Sequence, residues 1–506
     1  MDKHIKSAGL LSSAALLIVA ALGAAPNSQS QASQAGGIGS QSPQGFQRPK
    51  SVTQLYAEHC ANCHGQAGEG GGGGTRSILS EEKFDQSHDK ALFDAIKNGV
   101  PESAMHAYKD SLTDEQIWGL VVRLREFQGR ALRAKNGSPK PENGVYRSKR
   151  HNFRIETVVE EGKGLRTPWG IDWLPDGRMV VANRPGQILL IEGSTVTGVS
   201  GIPKSLESGQ GGMMEVAVHP NYRENGWIYL AFTDPAAEGR GSMTKIVRGR
   251  LTIEAGVPTW ADEQVVFEVG QEFYTRANYH YGTRIVFDGK GHIYFVVGER
   301  GTNELAQELT NPFGKTYRIK DDGTIPSDNP FVEKAPADKP YLKGIWSVGH
   351  RNPQGLAMNT KGELWDTEHG PRGGDEVNRI EKGANYGWPL VAWSINYNDS
   401  PMWSPWPKAG APAIKQPVFR WLPSTGACGL DVGNGSAFPD WNGDLFAGGL
   451  VGQNLDRIRT DGDKLVEREE LIHGLGRIRE VAVGRDGYVY VALNQPDKII
   501  RLVPAP

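Results

Sequence analysis

The feature that most constrains the fold is a polar turn ending in glycine and leading into an apolar strand, repeated six times after residue 153. It occurs in "WLPDGRMVVA", "YRENGWIYLAF", "FDGKGHIYFVV", "NTKGELWDTE", "DWNGDLFAGG" and "GRDGYVYVAL". The uneven spacing, tens of residues each time, fits four-stranded blades with variable loops better than a compact sandwich. Unrelated hairpins are the simpler alternative, but six copies favour an all-β six-bladed propeller over residues 152–506.

The amino terminus has the pattern of a secretory signal peptide over residues 1–25. Lys3 and Lys6 precede a short apolar run from Leu10 to Leu22, and small residues follow up to Ala25. The run is too short for a transmembrane span, which favours cleavage over a signal anchor. No later stretch is apolar for long enough, so we expect a periplasmic or secreted protein with no membrane span in the mature chain.

Composition divides the chain before the propeller into three further segments. Residues 26–50 are rich in Ser, Gln and Gly and predict a disordered tether. Residues 51–128 contain three amphipathic helical patterns, "SVTQLYAEHC", "DKALFDAIKNG" and "LTDEQIWGLVVRLREF", which predict a small all-α domain. Residues 129–151 are basic with Gly, Pro and Asn, and predict a linker that lets this domain move beside the propeller.

Charge and cysteine content exclude two classes of protein. The net charge is -2, with no long basic run, so we expect no nucleic acid as a partner. Three cysteines are too few for a disulfide framework.

Two of the cysteines form a CxxCH motif in "YAEHCANCHGQAGEG". In this motif the thiols of Cys60 and Cys63 bond covalently to haem c, and the imidazole of His64 binds its iron. A CxxC redox pair would not need the histidine, and a zinc site would need further ligands. The motif therefore predicts covalent haem in the all-α domain.

The second axial ligand is expected near the end of the same domain. Met105 lies in "GVPESAMHAYKDSLTDEQI", just before the last predicted helix. A core methionine and ligation by His106 are the alternatives, and a thioether would give the higher potential suited to an electron acceptor. In the order of the CxxCH motif, the predicted helices and Met105, residues 51–128 resemble a class I cytochrome c.

Four polar clusters fall on predicted connecting segments of the propeller, where such folds carry their chemistry. At these clusters, and over almost all of residues 153–506, the chain resembles the soluble glucose/sorbosone dehydrogenases, also called PQQ-dependent aldose sugar dehydrogenases. The shared motifs are "DGTIPSDNPF", "GHRNPQGLA", "GPRGGDEVN", "GANYGWP" and "RIREVAVGRDGYVYV", in the family's order.

The resemblance implies a set of site residues. His280 would be the base that takes the sugar hydroxyl proton, and the other implied residues are Gln210, Arg351 and Asn352 at the cofactor and substrate site, Arg477 and Arg479 holding PQQ, and Gly370 and Pro371 ligating calcium through backbone carbonyls. Guanidinium groups suit a flat tricarboxylate, and carbonyl oxygens suit a hard divalent ion. Singly, His280 could be a packed aromatic ring and the arginines a solvated strand face. Their joint occurrence in order favours the site.

Three positions depart from the glucose-oxidising members of the family. Glu304 replaces a glutamine, Val451 stands where a cofactor-binding lysine is usual, and Cys428 lies in an altered turn. We expect Cys428 to be a structural free thiol.

Together these features predict a quinohaemoprotein that oxidises a sugar with PQQ and calcium. The electrons would pass to its own haem and then to a soluble cytochrome or copper protein. The alternative is a propeller that binds a sugar or a protein without quinone, fused to an electron-carrying cytochrome. Val451 and Glu304 keep that alternative open.

Overall fold

A computed structural model of the chain describes residues 50–71, 75–81 and 84–506. Residues Pro49–Pro506 form one compact unit. The predicted signal peptide and, apart from residue 50, the predicted tether lie outside the described residues. Within the described part, no helix combines the length and apolarity needed to cross a membrane.

The amino-terminal domain is helical, as predicted, and its helices are α1 (Val52–His59), α2 (Ala61–His64), α3 (Asp89–Asn98) and α4 (Asp114–Asn136), with a 3-10 turn at Gln86–His88. Ser51 and Thr113 start α1 and α4 with capping boxes. Each hydroxyl accepts the backbone N–H three residues on, at Gln54 or Gln116, and that glutamine side chain accepts the N–H of the cap. Reciprocal bonds of this kind satisfy N–H groups that a helix start leaves unpaired.

The predicted start of the linker at residue 129 is wrong. Helix α4 continues to Asn136, because "GRALRAKN" contains mostly strong helix formers. Arg133 in this extension donates to both carboxylate oxygens of Glu470 in the propeller, at 2.8 and 2.7 Å. The basic residues that indicated a linker thus form the last turns of a helix.

The rest of the chain is a six-bladed propeller, as predicted. Two strands precede the first blade, β1 (Tyr146–Arg147) and β2 (Asn152–Val159). Blades one to three comprise β3 (Pro168–Trp173), β4 (Met179–Asn183), β5 (Gln187–Glu192) and β6 (Thr195–Gly198); β7 (Met213–Val218), α5 (Tyr222–Asn225), β8 (Ile228–Pro235), β9 (Ser242–Glu254) and β10 (Val257–Phe267); and β11 (Gly282–Phe287), β12 (His292–Val297), β13 (Lys315–Lys320) and β14 (Ile345–Val348).

The remaining blades comprise β15 (Pro353–Met358), β16 (Leu364–Glu368), β17 (Asp375–Ile380) and β18 (Phe419–Trp421); β19 (Ala427–Val432), β20 (Leu445–Gly449), β21 (Asn454–Asp461) and β22 (Lys464–His473); and β23 (Arg477–Val483), β24 (Val489–Asn494) and β25 (Lys498–Pro504). Short 3-10 helices lie in the connections at Gln271–Phe273, Asn303–Gln307, Pro340–Gly344 and Pro439–Trp441.

Each of the six repeated glycine turns joins the first and second strands of one blade. Their glycines have φ values between 68° and 93°, and they are Gly177, Gly226, Gly291, Gly362, Gly443 and Gly487. Residues with a Cβ rarely adopt this left-handed conformation. The repeat in the sequence therefore marks the inner hairpin of every blade.

The ring closes by pairing the two ends of the propeller. Strand β25 pairs with β2, with Phe153 opposite Pro504 and Ile155 opposite Leu502. Blade six thus combines three strands from the carboxyl terminus with β2 and β1 from the start of the propeller. This pairing joins the two ends of the propeller in one sheet and so closes the ring.

The first strands of the six blades surround the axis, and Arg284 on β11 lies buried among them. It donates to the carbonyls of Gln354 at 2.8 Å, Trp169 at 3.1 Å and Arg479 at 3.0 Å. Arg284 also forms ion pairs with Glu215 and Glu480. Burial acts to lower the pKa of Arg284, but these carboxylates outweigh it and the group stays charged. One cation therefore connects five of the six blades.

The helical domain is packed against the propeller, which corrects the expectation of a mobile domain. Trp393 and Ile395, from the connection between β17 and β18, belong to the hydrophobic core of the helical domain. The Trp118 ring of α4 meets the Trp393 ring edge to face at 5.2 Å between centroids. Beside them, Arg420 pairs with Asp89 at 2.5 Å.

Replacing Arg284 should destabilise the propeller. In Arg284→Met two buried carboxylates lose their counter-charge, which typically costs about 3–5 kcal/mol. We expect a clearly lower urea midpoint by tryptophan fluorescence. The triple variant that adds Glu215→Gln and Glu480→Gln should recover part of the loss, and a midpoint unchanged in Arg284→Met would contradict the axial role.

Candidate active site

His280 is held in a specific orientation at the start of blade three. Its backbone has φ 54°, in the left-handed region, and its N–H donates to Gln210 Oε1 at 2.9 Å. Its Nδ1 contacts Oε1 of Glu299, which is the second residue after β12 and is fully buried. Because Nδ1 faces a carboxylate, Nε2 is the nitrogen left to accept a proton from a ligand.

The surroundings of His280 keep its ring neutral. Burial lowers the pKa of His280, and the positive charge of Arg351 also lowers it, whereas the hydrogen bond that Glu299 accepts raises it. The net direction is downward, and the side chain is 12 % exposed. A neutral, partly accessible imidazole can act as a general base at neutral pH.

The three arginines predicted at the site lie in one positive region. Arg351 is buried, donates to the His369 carbonyl at 3.0 Å and lies 5.3 Å from the Trp388 ring. Arg479 lies 4.2 Å from the Trp169 ring, and its buried Nε has no hydrogen-bond partner among the described residues. Within that part of the chain, neither these two guanidinium groups nor that of Arg477 forms an ion pair with a carboxylate.

The His369 ring lies close to His280 and the three arginines. Burial lowers its pKa well below the usual value, and the charges of Arg351, Arg479, His280 and Arg477 act in the same direction. Its buried Nε2 has no hydrogen-bond partner in the described structure. Uncompensated guanidinium groups beside a buried orphan nitrogen fit a polyanionic, hydrogen-bonding ligand such as a flat tricarboxylate.

Gln210 and Asn352 support the segment that carries His280. Gln210 is exposed and its own N–H donates to the Asn278 carbonyl at 2.7 Å. Asn352 is buried and its Oδ1 accepts the Gly282 N–H at 3.3 Å. Gln210 therefore bonds His280 itself, and Asn352 bonds the residue two positions further along the chain.

Gly370 and Pro371 lie beside a small cavity that suits a cation. Neither carbonyl accepts a hydrogen bond from another described residue. The cavity of about 20 Å³ is also lined by Glu368 and Glu376. Burial, with the charge of Glu368, raises the pKa of Glu376 to about 8. Oxygen ligands around a space of roughly one water fit a divalent cation such as calcium.

Of the predicted haem-binding residues, Cys60 lies between α1 and α2, and Cys63 and His64 are the last two residues of α2. Cys60 is half-buried and Cys63 exposed, and both are free thiols. Burial and the neighbouring Cys63 raise the pKa of the Cys60 thiol to about 12, and burial lowers the pKa of His64. His64 Nδ1 is buried and, among the described residues, unpartnered. Two free thiols beside a neutral imidazole fit covalent haem attachment.

Met105 is better placed than His106 as the second axial ligand. The Met105 side chain is half-buried and packs on the same hydrophobic cluster as Cys60. His106 is exposed, and its ring lies 4.5 Å from the Tyr108 ring on the surface of the domain. Packing on the cluster that includes Cys60 favours the methionine as the predicted ligand.

The positions that depart from the family lie at different depths. Val451 is 69 % exposed and Glu304 is exposed on a 3-10 helix. Cys428 is a buried free thiol, as predicted, and its Sγ donates to the Arg479 carbonyl at 3.0 Å.

Two functional positions, Glu299 and His369, escaped the sequence reasoning. Glu299 is the second residue after a strand in "FVVGERG", and His369 directly follows a strand and immediately precedes the shared motif "GPRGGDEVN". An acidic or imidazole side chain at the end of an apolar strand is the pattern that would have identified both.

Comparison with known families identifies both domains. A family model described as Glucose / Sorbosone dehydrogenase matches residues 165–501, and one described as Cytochrome C oxidase, cbb3-type, subunit III matches residues 47–122. An aldose sugar dehydrogenase of Escherichia coli is 37% identical over 339 residues, which are 65% of this chain and 88% of that protein.

Solved structures agree with the propeller. The soluble aldose sugar dehydrogenase of Escherichia coli in the apo-form has a TM-score of 0.63 and 34% identity, covering 70% of this chain and 100% of that one. The PQQ-bound aldose sugar dehydrogenase of Streptomyces coelicolor has a TM-score of 0.54 and 26% identity, covering 69% and 98%.

Changing Glu299 should move the pH profile of any reaction that uses His280 as a base. The carboxylate raises the pKa of His280 against the effect of burial, so Glu299→Gln should lower that pKa further. The acid limb of kcat/KM should then shift to lower pH, and kcat should fall because the ring loses its orienting partner. Glu299→Asp, which keeps the charge, should leave the limb closer to its original position. A limb that stays in place or moves to higher pH in Glu299→Gln would contradict this pairing.

Proposed function

The chain belongs to the glucose/sorbosone dehydrogenase family, and we propose that it oxidises an aldose with PQQ and passes the electrons to its own haem c. The observation that carries this proposal is the neutral imidazole of His280, held by buried Glu299 beside three guanidinium groups that lack carboxylate partners. A base next to guanidinium groups that can hold an anionic cofactor is what a quinone-dependent alcohol oxidation requires.

Each residue has a distinct task in this proposal. His280 Nε2 takes the hydroxyl proton of the sugar, and Glu299 stabilises the imidazolium that forms. Arg351, Arg477 and Arg479 hold the carboxylates of PQQ, which when bound supplies a quinone that accepts the hydride from the sugar carbon. Because the His280 side chain is mostly buried, few water molecules can bond its Nε2 in place of the sugar hydroxyl.

The backbone carbonyls of Gly370 and Pro371 would hold calcium next to the cofactor. Their free oxygens and the adjacent carboxylate-lined cavity support this assignment. A divalent ion there would polarise the quinone oxygen and offset the negative charge of the cofactor.

The amino-terminal domain provides the electron acceptor. Cys60 and Cys63 would attach haem c, with His64 and Met105 as axial ligands, and its iron takes up electrons one at a time. A soluble cytochrome or copper protein would then collect them. The signal-peptide pattern at residues 1–25 supports export to the periplasm or the medium.

Titration of the PQQ-free protein with PQQ and calcium separates the enzyme from a sugar- or protein-binding propeller. We expect dye-reducing activity with aldoses to appear with the cofactor. His280→Ala should still bind PQQ but lose about 10²- to 10⁴-fold in turnover, since the base is removed. His473→Ala, on the outer strand β22, should behave as the wild type. Saturating PQQ without any aldose oxidation would favour the binding module.

Electron transfer to the attached haem should be intramolecular. Aldose added to the oxidised, PQQ-loaded protein should reduce the haem at a rate that does not change with protein concentration. Met105→Ala should lower the haem potential and slow this reduction, because a thioether ligand favours the reduced iron, whereas His106→Ala should change neither. A rate proportional to protein concentration would contradict a single electron path within the chain.

A further inference from the structure

The segment 370–374, between β16 and β17, is connected directly to the cytochrome c domain. Arg372 immediately follows Gly370 and Pro371, the proposed cation ligands. Its Nε and Nη2 donate to the two carboxylate oxygens of Glu126 on α4, at 2.9 and 3.2 Å. Glu126 is buried, whereas the Arg372 side chain is 32 % exposed, so the bidentate pair lies at the edge of the contact between the domains.

The same arginine joins a second contact with the start of α1. Arg372 Nη1 donates to Asp399 Oδ1 at 2.9 Å. The other carboxylate oxygen of Asp399 accepts the Thr53 N–H at 2.9 Å, and its backbone carbonyl accepts the Val52 N–H at 2.7 Å. Two helices of the cytochrome c domain therefore meet at one arginine of the cation-binding segment.

The segment has little room to move independently of these contacts. Gly373 and Gly374 have φ values of 90° and 67°. A Cβ at Gly374 would lie 2.4 Å from the Trp393 carbonyl, and one at Gly373 would lie 3.5 Å from Val122 of α4. The Arg372 N–H also donates to Ser394 Oγ at 2.9 Å. The segment is thus enclosed between the loop at Trp393 and helix α4.

We propose that the cytochrome c domain, through Glu126, holds segment 370–374 in the shape that binds the divalent cation and hence PQQ. Arg372 and Glu126 are then positioning residues, because they act through the neighbouring carbonyls of Gly370 and Pro371. The inference rests on the proposed function for the identity of the ligands. It makes the haem-bearing domain part of the support of the cofactor site as well as the electron acceptor.

The test compares two broken contacts between the domains in the haem-loaded, PQQ-free full chain. Glu126→Gln weakens the contact at segment 370–374. Arg133→Gln is the matched control, because it breaks the Arg133–Glu470 pair at the end of α4. Two quantities are measured for each variant: hydrogen exchange of the peptide covering residues 369–377, and the dissociation constant of PQQ with calcium present, by tryptophan fluorescence.

We expect Glu126→Gln to speed exchange in this peptide and to weaken PQQ binding by about 10- to 100-fold, as loss of an outer-shell partner does at metal sites. Arg133→Gln should change neither quantity. Arg372→Lys, which keeps the charge but loses the bidentate geometry, should show a smaller effect in the same direction and serves if Glu126→Gln does not fold.

The proposal is overturned if Glu126→Gln has the exchange rate and the PQQ affinity of the wild type. It is also overturned if Arg133→Gln changes both quantities as much as Glu126→Gln does, because any weakening of the contact between the domains would then have the same effect. Failure of the wild type to bind PQQ would instead refute the proposed function. The exchange comparison would still decide whether Glu126 holds the segment.

Discussion

The buried guanidinium of Arg284 is the interaction on which the rest of the structure depends. A ring of blades leaves polar backbone groups facing a narrow axis, and these groups need partners that solvent does not supply. Arg284 supplies them for Trp169, Gln354 and Arg479. The side chains of Trp169 and Arg479 in turn stack on each other in the positive region of the candidate site. The cation that connects the blades therefore also bonds the backbone of two residues of that region.

Charge is distributed unevenly around this axis. Arg284 is balanced by Glu215 and Glu480, whereas Arg351, Arg477 and Arg479 have no carboxylate within ion-pair distance among the described residues. Burial lowers the pKa values of His280 and His369, and the unbalanced positive charge acts in the same direction, so both favour neutral imidazoles. An anionic ligand would relieve the electrostatic repulsion between the arginines, which is a physical reason for the site to bind one.

Local requirements made much of the fold predictable, and non-local contacts explain the rest. The six turns need glycine for their own backbone, so the inner hairpins could be predicted from short windows. Closure through β2 pairs Phe153 with Pro504, and no local pattern indicates that partner. His280 was predicted from the resemblance to the family. Glu299 was not, because nothing in the sequence indicates that this acid contacts Nδ1 of His280 in the folded chain. The extension of α4 was missed because basic residues suit both a linker and a helix end.

The contact between the two domains has the character of an obligate interface. Its centre is aromatic, with Trp118 meeting both Trp393 and Trp406 edge to face, and charged pairs surround it. Asp89 accepts from Arg125 within its own domain and from Arg420 in the propeller, so the ion pair across the interface is part of a buried network. Apolar packing alone would tolerate small rotations, whereas such a network is satisfied in one orientation. The distance between segment 370–374 and the helical domain is therefore fixed, as the proposed transfer of two electrons from one substrate to the haem would require.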